Sequence, residues 1–264
     1  MGNVATGLLV LAGAAVTIDA AARVMSTVFG RTVGHRARSR RLLRKLAPNE
    51  TGRYFESLLG VPTVERRRDD LLHERIWADH LYFVQAFTES DDRVVVYSVT
   101  ARSRGFRLDV PFPGGGSYWG NQRQPLSAVL GKSSFADVGV DPSSTSGSLG
   151  ARRWWYSEVY AFGNPSNYQS LILSINDGAE RSGDVTALLD DIRDAQSGAQ
   201  GSQPIVLRPS QLARGKACPN TYSVTAPHFG THAVEAIEGL FGVDQDAVRV
   251  LPVWNTDRSP RPFS

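Results

Sequence analysis

The stretch WWYSEVYAF, residues 154–162, sets one carboxylate among four aromatic side chains. In an extended chain, side chains alternate between two faces, so Trp154, Tyr156, Glu158, Tyr160 and Phe162 point the same way. If that face is buried, Glu158 must be paired or hold a raised pKa. Arg152 and Arg153 are near in sequence, and other arginines are plentiful. A second arrangement makes Trp155, Val159 and Ala161 the core and leaves the aromatic face only partly covered. In that case the aromatics supply flat apolar contact, while Glu158 and the amides of the following turn supply polar specificity. The candidate ligand- or partner-binding residues are therefore Trp154, Tyr156, Glu158, Tyr160, Phe162, Asn164, Asn167 and Gln169. On this reading Glu158→Gln changes binding and barely alters stability.

The other chemistry-bearing residues form weaker patterns. A hydrolase would need two or more of His73, His80, Glu158, His228, His232 and Cys218 to converge in a cleft. His228 and His232 stand four apart with Glu235 three further on, a spacing that shares one face of a continuous helix. Gly230-Thr231 starts that helix after His228, and two imidazoles do not make a zinc site. Neither a metal nor a cofactor is expected. LGKSS (130–134) lacks the glycine a phosphate-binding loop needs five residues before Gly131, where Leu126 stands. The single cysteine, Cys218, rules out an internal disulfide.

These residues need elements to position them. Thr51 can cap a helix carrying Tyr54, Phe55, Leu58 and Leu59, stopped by Gly60 and Pro62. The mixed-charge stretch ERRRDDLLHER (65–75) reads as a solvated helix. LYFVQAF (81–87) and RVVVYSVT (93–100) read as an antiparallel hairpin around TESDD, and FRLDV (106–110) can add a third strand. Residues 111–125 hold three Pro and four Gly and read as a loop. Residues 154–162 and 168–177 form a second hairpin. Asp184 can cap a helix presenting Val185, Leu188, Leu189 and Ile192, and residues 231–242 fit another helix. The fold class is α+β: an N-terminal transmembrane helix, then a body of antiparallel β-hairpins with a few short helices.

Charge and hydropathy divide the chain. Val4 to Ile18 is a run of 15 uncharged residues, and apolar character resumes beyond Asp19 and Arg23 through Phe29. Asp19 and Arg23 can pair on one helix face, and a stripe of water-facing side chains is lacking. A spanning segment needs about 20 such residues. The following residues, RTVGHRARSRRLLRK, hold bases and no acid, which holds that end in the cytoplasm. Residues 1–48 contain eight of the 29 Lys and Arg and only one of the 26 Asp and Glu, so the remaining body is net acidic. That asymmetry argues against a nucleic-acid partner. The expected organisation is a membrane anchor helix (1–30), a basic juxtamembrane segment (31–50), an α+β domain (51–196), a linker (197–204) and a C-terminal segment (205–264) that can pack on the domain. The expected location is the cell membrane, single-pass, with the N-terminus outside and the body cytoplasmic. Membrane lipid is the expected partner of the anchor and basic segment, with a protein as a further partner.

Tyr156, Glu158, Tyr160, Phe162-Gly163-Asn164-Pro165 and Asn167-Tyr168-Gln169 resemble a signature of uncharacterised bacterial proteins with one N-terminal membrane helix. The LGVP turn at 59–62 and the FVQAFT and VVYSVT strands are similar too, so the resemblance covers about residues 50–180. It implies a single membrane anchor and no particular activity. The function expected is thus a membrane-anchored protein whose body is a partner- or ligand-binding module. The alternatives are the membrane-associated hydrolase with a His/Glu site and a structural scaffold without a pocket.

Overall fold

The computed structural model describes residues 34–68, 72–103, 105–112, 127–150, 154–163, 169–179, 182–197, 205–206, 209–227 and 242–243. The chain divides into two compact units, Met1–Arg44 and Lys45–Ser264. In the first, residues 34–43 are helical (α1) and carry Arg36, Arg38, Arg40 and Arg41 of the basic segment. The expected anchor, residues 1–30, lies outside the described residues. Among the described residues no helix is long and apolar enough to cross a membrane.

The second unit is an α+β body. Its strands are β1 (Val64–Arg67), β2 (His73–Ala78), β3 (Tyr82–Thr88), β4 (Val94–Ala101), β5 (Ser144–Leu149), β6 (Trp154–Phe162), β7 (Gln169–Asn176), β8 (Ser182–Gly183), β9 (Ile205–Val206), β10 (Ala217–Cys218) and β11 (Thr221–Thr225). Its helices are α2 (Gly52–Leu59), α3 (Thr186–Ser197) and α4 (Gln211–Lys216), with a 3-10 turn at Phe135–Val138. Among the described residues the main sheet runs β1-β2-β3-β4-β11-β7-β6-β5-β9, with every neighbouring pair antiparallel. Strands β8 and β10 pair separately.

Both expected hairpins form, with β3 and β4 joined through Glu89–Arg93 and β6 paired with β7. Strand β11 joins them, lying between β4 and β7. Its register sets Tyr222 between Val99 and Leu173, with Glu158 next across the sheet. Because period-2 faces carry through aligned strands, Val99, Tyr222, Leu173 and Glu158 form one row of one face. Helices cover this face. Phe55 of α2 meets Trp77 and Tyr97 at ring separations of 6.1 and 5.7 Å, and Phe135 meets Tyr156 edge-on at 5.1 Å.

The opposite face is also buried but more polar. Ser98 and Ser223 hydroxyls lie 2.7 Å apart, and Thr221 Oγ1 lies 2.9 Å from Thr100 Oγ1. Gly242 rests there: its N–H donates to Gln85 Oε1 at 3.0 Å, and its φ of +91° suits a glycine. Val243 packs on Ile76 and Phe83.

Helix α2 follows its sequence signals. Thr51 Oγ1 accepts from Tyr54 N–H at 3.1 Å, and Gly60, at φ 86°, donates to Glu56 O. Asp184 likewise accepts from Thr186 N–H ahead of α3, whose Leu188 and Ile192 are buried with Val185. Two expectations need correction. Residues 65–75 are not helical: they contain the β1 and β2 strands of a hairpin, with Glu65 opposite Arg75 and Arg66 opposite Glu74. Opposite charges pair across strands as readily as along a helix, and the alternation that buries Glu74 and Ile76 decides for strands. FRLDV does not join the main sheet. Asp109 makes one bridge to Val129, flanked by Val110 N–H to Ala128 O and Leu130 N–H to Leu108 O. The expected helix at 231–242, except Gly242, and linker residues 198–204 lie outside the described residues.

Candidate functional site

Glu158 stands at the middle of β6 with no exposed surface. Its aromatic face is the covered one: Trp154, Tyr156, Tyr160 and Phe162 are all buried. The carboxylate is held by four donors. Its Oε1 accepts from Tyr156 OH at 2.7 Å and from Arg214 Nε at 2.8 Å. Its Oε2 accepts from Tyr160 OH and from Arg214 Nη2 at 3.2 Å. The tyrosines reach it because residues i−2 and i+2 on a strand flank residue i on the same face.

Arg214 comes from α4, and its side chain is 7% exposed. Ser210 caps that helix through its Oγ to Ala213 N–H, and both Ser210 N–H and Oγ donate to Asp191 Oδ2 on α3. The guanidinium also donates to Phe135 O at 3.4 Å and lies 3.6 Å from the exposed Asp141 carboxylate. One buried pair therefore links β6, α4 and the 3-10 turn.

The electrostatics follow from this closure. Burial, then the negative charge of Glu158 and its hydrogen bonds, pushes the Tyr156 and Tyr160 phenols well up, so both stay protonated donors. Burial lowers the Arg214 pKa, but hydrogen bonding to Glu158 and its charge outweigh burial and raise it. Each carboxylate oxygen already carries two donors, filling its lone-pair positions. This arrangement binds α4 to the sheet and leaves Glu158 no vacant acceptor for a substrate proton.

The remaining site residues are placed differently. Gln169 opens β7 opposite Phe162 and is half-buried. Asn164 and Asn167 lie outside the described residues. Phe162 also meets Phe112, at 6.2 Å.

The hydrolase candidates do not gather around Glu158. His73 lies on β2, five strand spacings from β6, which is on the order of 24 Å. His80 is 62% exposed beside Asp79, in the turn between β2 and β3. Cys218 lies on β10, its Sγ 3.6 Å from Lys132 O, and burial pushes its thiol pKa up. His228 and His232 lie outside the described residues. LGKSS forms a turn leading into the 3-10 segment: Val129 N–H donates to Ser133 Oγ, and Ser134 N–H donates to Asp137 Oδ2.

The sequence points at Glu158 and offers Arg152, Arg153 and many other arginines as partners without singling out Arg214. Arg214 lies 56 residues away in a six-residue helix with no strong periodicity, so nothing local marks it. No protein-family model matches this chain, and neither a curated protein nor a solved structure does.

Proposed function

We propose that the chain is a single-pass membrane protein with its N-terminus outside. Its cytoplasmic α+β body acts as a partner- or ligand-binding module. The observation that carries the binding reading is the closure of Glu158 by four donors. A saturated carboxylate suits a structural tie better than an acid or base, which must reach the proton it transfers. The separation of His73, His80 and Cys218 onto different elements weighs the same way.

What the tie supplies is rigidity at the middle of β6. In the sequence, Asn164 and Asn167 follow β6 and Gln169 opens β7, so three amide residues come directly after a strand fixed by a buried ion pair. Polar groups on a rigidly based connection make a good recognition element. The resemblance through Tyr156, Glu158 and Asn164 to single-anchor bacterial proteins supports the membrane anchor alone. The apolar run of residues 4–29 and the bases after it supply the anchor, the orientation and the contact with lipid.

The test is affinity purification of the full chain from detergent, beside a triple variant carrying Asn164→Ala, Asn167→Ala and Gln169→Ala. Loss of a co-purifying partner with an unchanged melting temperature supports the reading, and identical profiles reject it. Protease added to intact cells should leave the body uncut, and its digestion there would overturn the orientation.

A further inference from the structure

The helix that follows the apolar run is one-sided. In α1, residues 34–43, the exposed residues Gly34, Ala37, Arg38 and Arg41 recur at i, i+3, i+4 and i+7, so they share one face. Ser39 and Leu43, on the other side, are buried. Arg40 also lies off the exposed face: it is half-buried, and its Nε is enclosed with no acceptor. The face itself is open, since a Cβ added at Gly34 would meet nothing within 4 Å.

The chemistry of that face has one sign. The sequence from Gly30 to Asn49 holds Arg31, Arg36, Arg38, Arg40, Arg41, Arg44 and Lys45 and no Asp or Glu. An arginine stays charged at any physiological pH, and its planar fork of N–H donors fits two phosphate oxygens. Gly34 and Ala37 are too short to hold the helix off a flat surface, while the long arginine stems reach past them. Along the chain, α1 begins soon after the apolar run of residues 4–29 ends. The step from Phe29 to Gly34 spans at most about 18 Å in any conformation, so a bilayer that holds the run has its headgroups within reach of α1.

We propose that Arg38 and Arg41 seat α1 along the inner leaflet by binding the phosphates of anionic phospholipid. This deepens the membrane reading above and rests on the orientation given there. That reading needs only that the bases stay on one side of the bilayer. The open arginine face adds a preference among lipids, for headgroups of net negative charge. A zwitterionic headgroup presents its phosphate beside its own cation and so neutralises less of the arginine charge. Attraction of bases to an anionic leaflet fades within a Debye length, so the contact is weakened by salt. The net acidic remainder of the chain weighs against a nucleic acid as the polyanion.

The test uses the full-length chain with Cys218→Ser and Ala37→Cys, labelled at position 37 with an environment-sensitive dye. It is reconstituted into nanodiscs of phosphatidylcholine alone or of phosphatidylcholine with phosphatidylglycerol. The dye emission should shift to the blue in the anionic discs, and high salt should reverse the shift. Arg38→Gln with Arg41→Gln should shrink the shift by at least about fivefold. Both arginines are exposed and glutamine is nearly as good a helix former, so this variant keeps its fold. Lysine at both positions keeps the charge and should keep most of the shift. Arg40→Gln with Arg193→Gln removes the same charge away from the face and should also keep it. Retention by phosphatidylcholine discs tests the anchor separately. A chain that stays with those discs but gives one emission in both lipids overturns the proposal and leaves the anchor standing. A chain held only by anionic discs, through Arg38 and Arg41, supports the proposal and overturns the anchor; a chain held by neither overturns both. An equal loss from the Arg40 and Arg193 pair overturns the proposal, as does a shift caused by duplex DNA and not by phosphatidylglycerol.

Discussion

Replacing Glu158 by Gln removes one charge from a buried pair and leaves Arg214, 7% exposed, with only the exposed Asp141 carboxylate, 3.6 Å away, as counter-ion. The amide can still accept from Tyr156 OH and one Arg214 nitrogen through its oxygen. Its NH2 group, however, faces the Arg214 Nη2 donor, which then lacks an acceptor at that position. Breaking a buried pair on one side costs about 3–5 kcal/mol. For a body of this size each kcal/mol shifts the melting temperature by about 2–4 °C, giving a drop of about 6–20 °C. This reverses the expectation from sequence that Glu158→Gln leaves stability unchanged, because the carboxylate is buried rather than presented. The assay is urea unfolding of the full chain in detergent, followed by tryptophan fluorescence, in a double-mutant cycle with Arg214→Met. The double variant should lose less than the sum of the singles, by about 2 kcal/mol or more. A Glu158→Gln midpoint equal to wild type, or strict additivity with Arg214→Met, would refute the argument that this pair ties α4 to the sheet.

Three further outcomes follow from particular contacts. Burial raises the Glu74 carboxyl pKa, but hydrogen bonds from Arg66, Arg68 and Gln85 outweigh it and hold the group below its ordinary range. Its stabilisation is therefore complete above the unfolded glutamate value of about 4.3 and is lost as pH falls towards the depressed folded value. Urea midpoints measured from pH 7 to pH 3 should fall more steeply for wild type than for Glu74→Gln; parallel profiles would contradict this. Gly242→Ala would place a Cβ 2.8 Å from Thr221 Cγ2 and 2.9 Å from Asn176 Nδ2 and Thr100 Oγ1. It should cost about 1–3 kcal/mol in thermal unfolding, more than Gly105→Ala, where the Cβ meets nothing within 4 Å. Burial and the nearby Asp137 charge raise the Cys218 pKa, so iodoacetamide at neutral pH should alkylate the folded chain several-fold more slowly than the urea-unfolded one. Equal rates would show a fully accessible thiolate.

Local signals in the sequence determined the local elements. Thr51 and Gly60 bounded α2, the β-branched and aromatic runs at 81–100 made one hairpin, and those at 154–177 made the other. Alternation alone put Glu158 on one face with four aromatics. Each of these rests on contacts between residues close in the chain, which composition and spacing encode directly. Tertiary structure decided the rest. STSGSL and TYSVT carry little apolar pattern, yet they form β5 and the central β11, because the neighbouring strands supply their hydrogen bonds and burial. The mixed charges of residues 65–75 suited helix and hairpin alike until burial of Glu74 and Ile76 chose the hairpin. The choice of Arg214 over Arg152 or Arg153 as the partner of Glu158 depended on where α4 came to rest, and no residue near Glu158 in the chain specifies that. Long-range pairing is a property of the whole packed body, so a strand's composition can announce a buried charge without naming what neutralises it.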